Sequence, residues 1–334
     1  MYRLILLTFS WLFCVTAPNN VTICTQNLHN FGQEKGPITQ NLRATLLGER
    51  IKNGKCDIVA LQEVTAKRTD YARKTCKVLT DKLKELTYAD WDCVVGDTED
   101  GPHRLAFIWK VRNINLVEAF SYKNLDVPKL SKIDASSHFN RIPLEAIFRI
   151  KFSEVSRYVA AINIHLKSKA GAEKDPTGLK WEIVRMEQAE AIRKQALDRL
   201  ISRKEKMPVL ILGDRNSDYR SPTAKILAGE LHLADFAGNA PCRISKSLVP
   251  VCLKEIPRNP IFASPITLDK ANLSVGGTFR YRKKLQFLDD ILIDVNHLGL
   301  VQKSHFSLKE FDAGIIFEPL EASDHALLWA KLKF

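Results

Sequence analysis

Short apolar runs, each closed by a polar residue, recur along the chain. Residues 21–24 lead to Asn27, 58–61 to Glu63, 159–164 to His165, and 209–212 to Asp214 and Asn216. Phe287 and Leu288 precede Asp289, and Ser323-Asp324-His325 precedes the apolar run 326–330. Such runs, bounded by polar and glycine positions, predict buried strands. Apolar residues at helical spacing predict three helices. They cover 39–52, with Ala44, Leu47 and Ile51 on one face; 68–86, with Tyr71, Val78, Leu79 and Leu83 inward; and 181–201, with Met186, Ala189, Ile192, Ala196 and Leu200. Strands near 105–111, 114–120, 143–151 and 157–165 follow one another without helices, which favours mixed or antiparallel sheets over a doubly wound parallel one. No repeat, low-complexity tract or linker marks a boundary, so 18–334 reads as one α/β domain. Two long loops are expected, 121–140 and the proline-bearing 238–277. Loops of that length inside a domain are commonly functional.

The polar endings carry the chemistry. A buried strand that ends in Gly213 and then offers Asp214 and Asn216 presents a carboxylate and an amide on one side, because alternate residues of an extended segment point the same way. Gly-Asp-x-Asn alone also makes ordinary turns. Several apolar strands that each end on a hard oxygen ligand or an imidazole describe something more specific, a metal-assisted phosphoester site.

These motifs resemble those of the endonuclease/exonuclease/phosphatase superfamily, which includes pancreatic-type deoxyribonucleases, abasic-site endonucleases, sphingomyelinases and inositol-phosphate phosphatases. Gln26-Asn27-Leu28-His29-Asn30-Phe31-Gly32 is similar to the first motif, and Asp57-Ile58-Val59-Ala60-Leu61-Gln62-Glu63-Val64 to the second. Arg141-Ile142-Pro143-Leu144 resembles the Arg-x-Pro strand, Ile164-His165-Leu166-Lys167-Ser168 the histidine strand, and Ser323-Asp324-His325 the closing motif. They stand in the family's order from about residue 21 to 332. The resemblance implies a four-layer sandwich: two packed mixed or antiparallel β-sheets flanked by helices, with motifs from both halves meeting at one rim.

It also implies roles. Glu63 would bind the metal directly, since a carboxylate ending a buried strand is costly unless it meets a cation or strong hydrogen bonds. Asn27 would add a neutral oxygen and Asp324 a second carboxylate on the metal side. Mg²⁺ suits this oxygen-rich, cysteine-free set, with Mn²⁺ or Ca²⁺ as substitutes. Asp214 would polarise the attacking water or take its proton, and Asn216 would hold water or a phosphate oxygen. His325, oriented by Asp289, would stand next to the scissile phosphate, and His165 matches the second histidine of the deoxyribonuclease branch. Arg141 would donate to a phosphate oxygen through its guanidinium fork. Three positions depart from the pattern. Arg215 replaces an apolar or aromatic residue, Asp290 stands where many relatives have Arg, Tyr or His, and His103 falls where the acidic partner of the second histidine belongs.

Charge and cysteines narrow the setting. The chain carries a net +12, and without 1–17, whose only charge is Arg3, +11. A basic surface of that size suits a polyanion. The run Arg280-Tyr281-Arg282-Lys283-Lys284 lies just before Asp289. Such a run is ordinarily a solvated face; beside a catalytic strand, cations interleaved with an aromatic also suit a nucleic-acid backbone. Residues 1–17 read as a secretory signal, with Arg3, an apolar stretch and a small-residue cleavage site, so the protein is expected to be secreted or periplasmic. No later run is apolar enough for a membrane helix. Six cysteines follow the signal, and export favours disulfides. Cys242–Cys252 is the first expected pair and Cys76–Cys93 the second, while Cys24 and Cys56 on core strands read as buried thiols.

The leading expectation is therefore an exported metal-dependent nuclease, monomeric, hydrolysing DNA, with RNA left open as a second substrate. The alternative is a phosphoesterase acting on a lipid or small molecule, such as a sphingomyelinase. Retention of the acidic, amide and histidine positions argues against an inactive binding module.

Overall fold

The apolar runs form the strands of two six-stranded sheets. The computed structural model describes residues 19–98, 101–130, 138–169, 173–202, 207–303 and 310–334, and the expected signal at 1–17 lies outside them. The first stretch gives β1 (Asn20–Phe31), α1 (Pro37–Asn53), β2 (Ile58–Thr65), α2 (Thr69–Thr87), β3 (Trp91–Val95) and β4 (His103–Lys110). The second gives β5 (Ile114–Ser121), β6 (Leu144–Phe152), β7 (Val155–His165), α3 (Leu179–Ser202), β8 (Val209–Asp214) and α4 (Pro222–Ala228). Then follow β9 (Cys242–Ile244), β10 (Pro250–Cys252), β11 (Phe262–Ala263), α5 (Pro265–Leu268), α6 (Lys270–Ser274), β12 (Phe279–Tyr281) and β13 (Lys284–Gln286). The chain closes with β14 (Asp289–Asp294), β15 (Ala313–Ile316) and β16 (Leu327–Lys333).

One sheet has the order β15-β16-β1-β2-β4-β3 and the other β11-β14-β8-β7-β6-β5. Among the described strands, β1–β2 and β7–β8 pair in parallel and the other pairings are antiparallel, as the missing intervening helices required. Inward-facing Ile23, Ala60, Phe107, Phe148, Ala161 and Leu328 join one core between the sheets. Helices α1 and α2 cover the outer face of the first sheet, and α3 and α4 that of the second, giving four layers. In α2 the buried line is Ala72, Cys76, Leu79 and Leu83, with Tyr71 turned to solvent. The expected inward position was displaced by one residue, about 100° around a helix.

A polar contact links the two sheets inside this core. Gln62 Nε2 donates to Asn163 Oδ1 (2.7 Å), and Asn163 Nδ2 donates to the carbonyls of Leu61 and Ala106 (2.9 Å each). Apolar faces can slide over one another with little penalty, whereas a fully bonded buried amide pair fixes their relative position.

Three sequence expectations need correction, the Cys76–Cys93 pairing among them. The 238–277 segment is not a bare loop, because it contains β9, β10, β11, α5 and α6. Cys24 and Cys56 are not thiols: they form a disulfide between β1 and the turn entering β2, with their Cα atoms 5.9 Å apart. Cys242 and Cys252 form the second disulfide, as cross-strand partners of β9 and β10. Cys76 and Cys93 remain thiols, hydrogen-bonded to each other, and that bond together with burial holds Cys76 well above the ordinary thiol range. Peptide mapping without reduction should recover Cys24–Cys56 and Cys242–Cys252 as linked peptides, each bond worth about 2–4 kcal/mol. Alkylation of either pair in unreduced protein from an oxidising compartment would contradict this pairing.

Candidate active site

The site forms where the ends of β1, β2, β7, β8 and β14 meet the turn entering β16. Across one sheet, Asp289 is opposite Asp214 and Asp214 opposite His165, so three of the candidate residues stand in one row. Gly213 makes the row possible. Its φ is +134°, and a Cβ there would lie 2.2 Å from the carbonyl oxygen of Ile164. Only glycine allows β8 to approach β7 this closely before Asp214. On the other sheet, β1 bulges against β2 after Asn27, and His29, Asn30 and Glu63 all have positive φ. A bulge re-aims side chains, and such backbone conformations commonly mark functional sites.

The resulting cleft is about 640 Å³ and is lined by Glu63, His165, Asp214, Asn216, Asp324 and His325, among others. His325 Nδ1 lies 2.9 Å from Asp289 Oδ2, and Asp289 is itself fixed by the Thr278 hydroxyl at 2.8 Å. His325 Nε2 faces Asp214 Oδ2 at 3.9 Å. The three side chains thus form a relay, buried throughout. Burial works against a charged imidazole, yet Asp289, with Asp214 and Asp324, raises His325 to about 10. Asp214 is pushed up to about 7 by burial, with Asp289 and Glu63 adding to the rise and His325 opposing it. One group is therefore held cationic and its neighbour is poised near neutral pH, the division of labour that acid–base chemistry needs.

His165 Nε2 lies 3.5 Å from Asp214 Oδ2 and 3.9 Å from Glu63 Oε1. Its Nδ1 has no hydrogen-bond partner among the described residues. His103, at the position where an acidic orienter belongs, bonds Asn30 Oδ1 instead (2.7 Å). Burial, aided by Arg141 and two other histidines, holds His165 well below the usual imidazole range, so it serves as a neutral group.

Glu63 Oε2 accepts from the Asn30 amide (2.8 Å), and Oε1 faces Asn27 Nδ2 at 3.4 Å. That Asn27 amide nitrogen also donates to Asp214 (3.1 Å), while the Asn27 oxygen accepts from the His29 amide (2.9 Å). In this arrangement Asn27 ties the two carboxylates together. Asp324 meets His29 Nδ1 at 3.2 Å. Glu63 and Asp324 both open onto the cleft, and this sulfur-free set of carboxylates with neighbouring amides has the donor chemistry of a Mg²⁺-type ion. The compact Asp214–Asp289–His325 group is geometrically tight enough for an ion, but its internal hydrogen bond already uses His325 Nδ1.

Asn216 donates its backbone N–H to Asp214 Oδ1 (2.8 Å) and its amide to the Leu166 carbonyl (3.2 Å), which orients the carboxylate. The Arg141 guanidinium also goes to the Leu166 carbonyl, its Nε has no hydrogen-bond partner among the described residues, and its charge acts on His165. Arg280 to Lys284 form the β12–β13 hairpin on the rim, with exposed side chains. Arg280 turns away from the cleft, over the Phe317 ring (5.0 Å), beside His29 and Asp324.

Sequence reasoning missed several residues. Arg50, in a charged helix, looks like a surface residue, yet it is fully buried and donates to the His325 and Pro319 carbonyls (2.6 Å each) and to that of Phe317. It fastens the turn carrying Asp324 and His325 to α1. His29 and Phe279 were also overlooked, and the Phe279 ring packs against His325 at 4.7 Å. The two departures at 215 and 290 explain each other. Arg215 Nη1 pairs with Asp290 inside the protein, Arg215 Nε donates to the Ser217 carbonyl (2.8 Å), and the Ser264 hydroxyl completes the carboxylate. The added cation and the added anion thus neutralise each other behind the site. A larger groove of about 830 Å³ lies elsewhere, but there Tyr122 and Arg199 are both engaged by Glu145.

This arrangement of sheets is shared with several solved structures. An endonuclease/exonuclease/phosphatase family protein from Bacteroides thetaiotaomicron is similar over 95% of this chain and 99% of its own, at TM-score 0.56 and 14% identity. The human Nocturnin catalytic domain, solved with a bound sulfate anion, matches over 96% of each chain at TM-score 0.54 and 16% identity. A Bacteroides thetaiotaomicron mannosyl-6-phosphatase matches over 94% of this chain and 100% of its own, at TM-score 0.54 and 13% identity. The chain therefore has the DNase I-like α/β sandwich fold. It matches no protein-family model. It has no significant match to a curated protein.

Proposed function

We propose that this protein is an exported, metal-dependent nuclease that hydrolyses phosphodiester bonds of nucleic acid, DNA foremost. The observation that carries the reading is the buried Asp289–His325–Asp214 relay opening beside Glu63 onto a cleft rimmed by the Arg280–Lys284 hairpin. Asp214, near neutral in pKa, takes a proton from water as its oxygen bonds to phosphorus. The bond to the leaving oxygen breaks, and cationic His325 offsets the charge that develops. Glu63, with Asp324 and Asn27 beside it, would hold a divalent cation that neutralises phosphate charge. The cationic hairpin favours a polyanionic substrate over an isolated phosphate ester. Two disulfides and the 1–17 leader support export. Among the described residues no helix is long and apolar enough to cross a membrane.

A phosphatase with the same fold shows that architecture alone does not choose the substrate. The test is mature protein on supercoiled plasmid, with and without EDTA, beside Glu63→Gln. Nicking should require metal and fall roughly 10²-fold or more in the variant. Full activity in EDTA would end the metal mechanism. Inertness on nucleic acid with turnover of sphingomyelin would select the lipid phosphoesterase instead.

A further inference from the structure

The β12–β13 hairpin carries two features that point the same way. Along β12, Phe279 and Tyr281 face the cleft, because alternate residues of a strand share a side. Their rings are nearly parallel, at 9° and 6.4 Å between centroids. Phe279 touches His325, so an aromatic ledge runs from the catalytic imidazole outward to Tyr281, which is 54% exposed. The hairpin turn then places the Arg282 guanidinium 5.3 Å from the Tyr281 ring centre, with exposed Lys283 and Lys284 beyond it. On the far side of the ledge, Lys169 bonds Gln286 of β13 (2.9 Å), tying the hairpin to the segment after β7.

We infer that this ledge stacks an unpaired nucleobase next to the scissile phosphate, making single-stranded or extrahelical nucleic acid the preferred substrate. The inference rests on the nuclease reading above and narrows it. A flat, uncharged ring fits an exposed tyrosine face, while its flanking phosphates meet Arg282 and Lys283. A quaternary ammonium headgroup also favours aromatic faces, but here the surrounding cations repel it. A base still paired inside a duplex is stacked on its neighbours and cannot reach a ring set inside the cleft, so the nucleotide must be out of the helix. Base–aromatic stacking requires no particular sequence, since every base has a π face.

The experiment compares hydrolysis of a single-stranded oligonucleotide with that of the same backbone carrying abasic tetrahydrofuran residues. Wild type, Tyr281→Ala and Tyr281→Phe are measured on both. Wild type should favour the base-bearing strand. Tyr281→Ala should shrink that preference by about tenfold to a hundredfold, mainly through KM, and Tyr281→Phe should retain it. Equal cleavage of the two strands by wild type, or a preference untouched in Tyr281→Ala, would overturn stacking while leaving a nuclease. Cleavage of neither strand, with turnover of another phosphoester, would overturn the nuclease reading and this inference together.

Discussion

His325→Ala is expected to cut kcat/KM on a phosphodiester by roughly 10²–10⁴-fold, and Asp289→Asn to cause a severe loss of its own. The double variant should lose far less than the product of the two, because residues that act as one unit are not additive. The motive is geometric. Asp289 holds His325 Nδ1 at 2.9 Å, and Thr278 holds Asp289 in turn. Asn at 289 keeps the shape but removes the charge that keeps the imidazole cationic, so the effect of Asp289 should run through His325. Circular dichroism of each variant establishes folding. Fully multiplicative losses in folded protein would show that the two residues work independently.

The second large effect concerns stability. Arg215→Met should destabilise the fold by roughly 3–5 kcal/mol, since it leaves Asp290 buried beside Ser264 without its cation. Asp290→Leu should cost a comparable amount by stranding Arg215. Combining the two should recover much of the loss, because replacing a buried ion pair with apolar groups is often near neutral. Urea unfolding of the four proteins measures the coupling. Additive losses would mean that the pair contributes nothing jointly. A double variant that is stable but slow would assign the pair to holding Asp214 and Asn216 beside Asp289.

Strand ends were legible because burial and chemistry are written in the same places. An apolar run closed by Asn27, Glu63, His165 or Asp214 announces both a strand and the end that bears function, and β1, β2, β7 and β8 run where those patterns lie. The mixed sheets were legible from missing helices. What escaped the reading depends on partners distant in the chain. Arg50 looks exposed until the 317–325 turn folds over it. Arg215 and Asp290 look like two liabilities until β8 and β14 pair and place them together. Cys24 and Cys56 were read as thiols because apolar strand context also suits a buried sulfhydryl. Only the packing of the turn before β2 against β1 brings the two sulfurs together. The run 280–284 appeared as undifferentiated charge, because periodicity over so short a hairpin does not announce which side chains face the cleft.

The placement of β16 has a consequence for biosynthesis. This last strand sits between β15 and β1, and Gln26 on β1 donates to the carbonyl of His325, 299 positions later. Pairing so distant in sequence forms late, since the intervening chain must be ordered before the contact repays its closure. A chain translated short of residue 325 therefore has its first strand paired on the β2 side alone and lacks His325 altogether. The Asp289–His325–Asp214 relay is thus assembled only after the final strand has been made and docked.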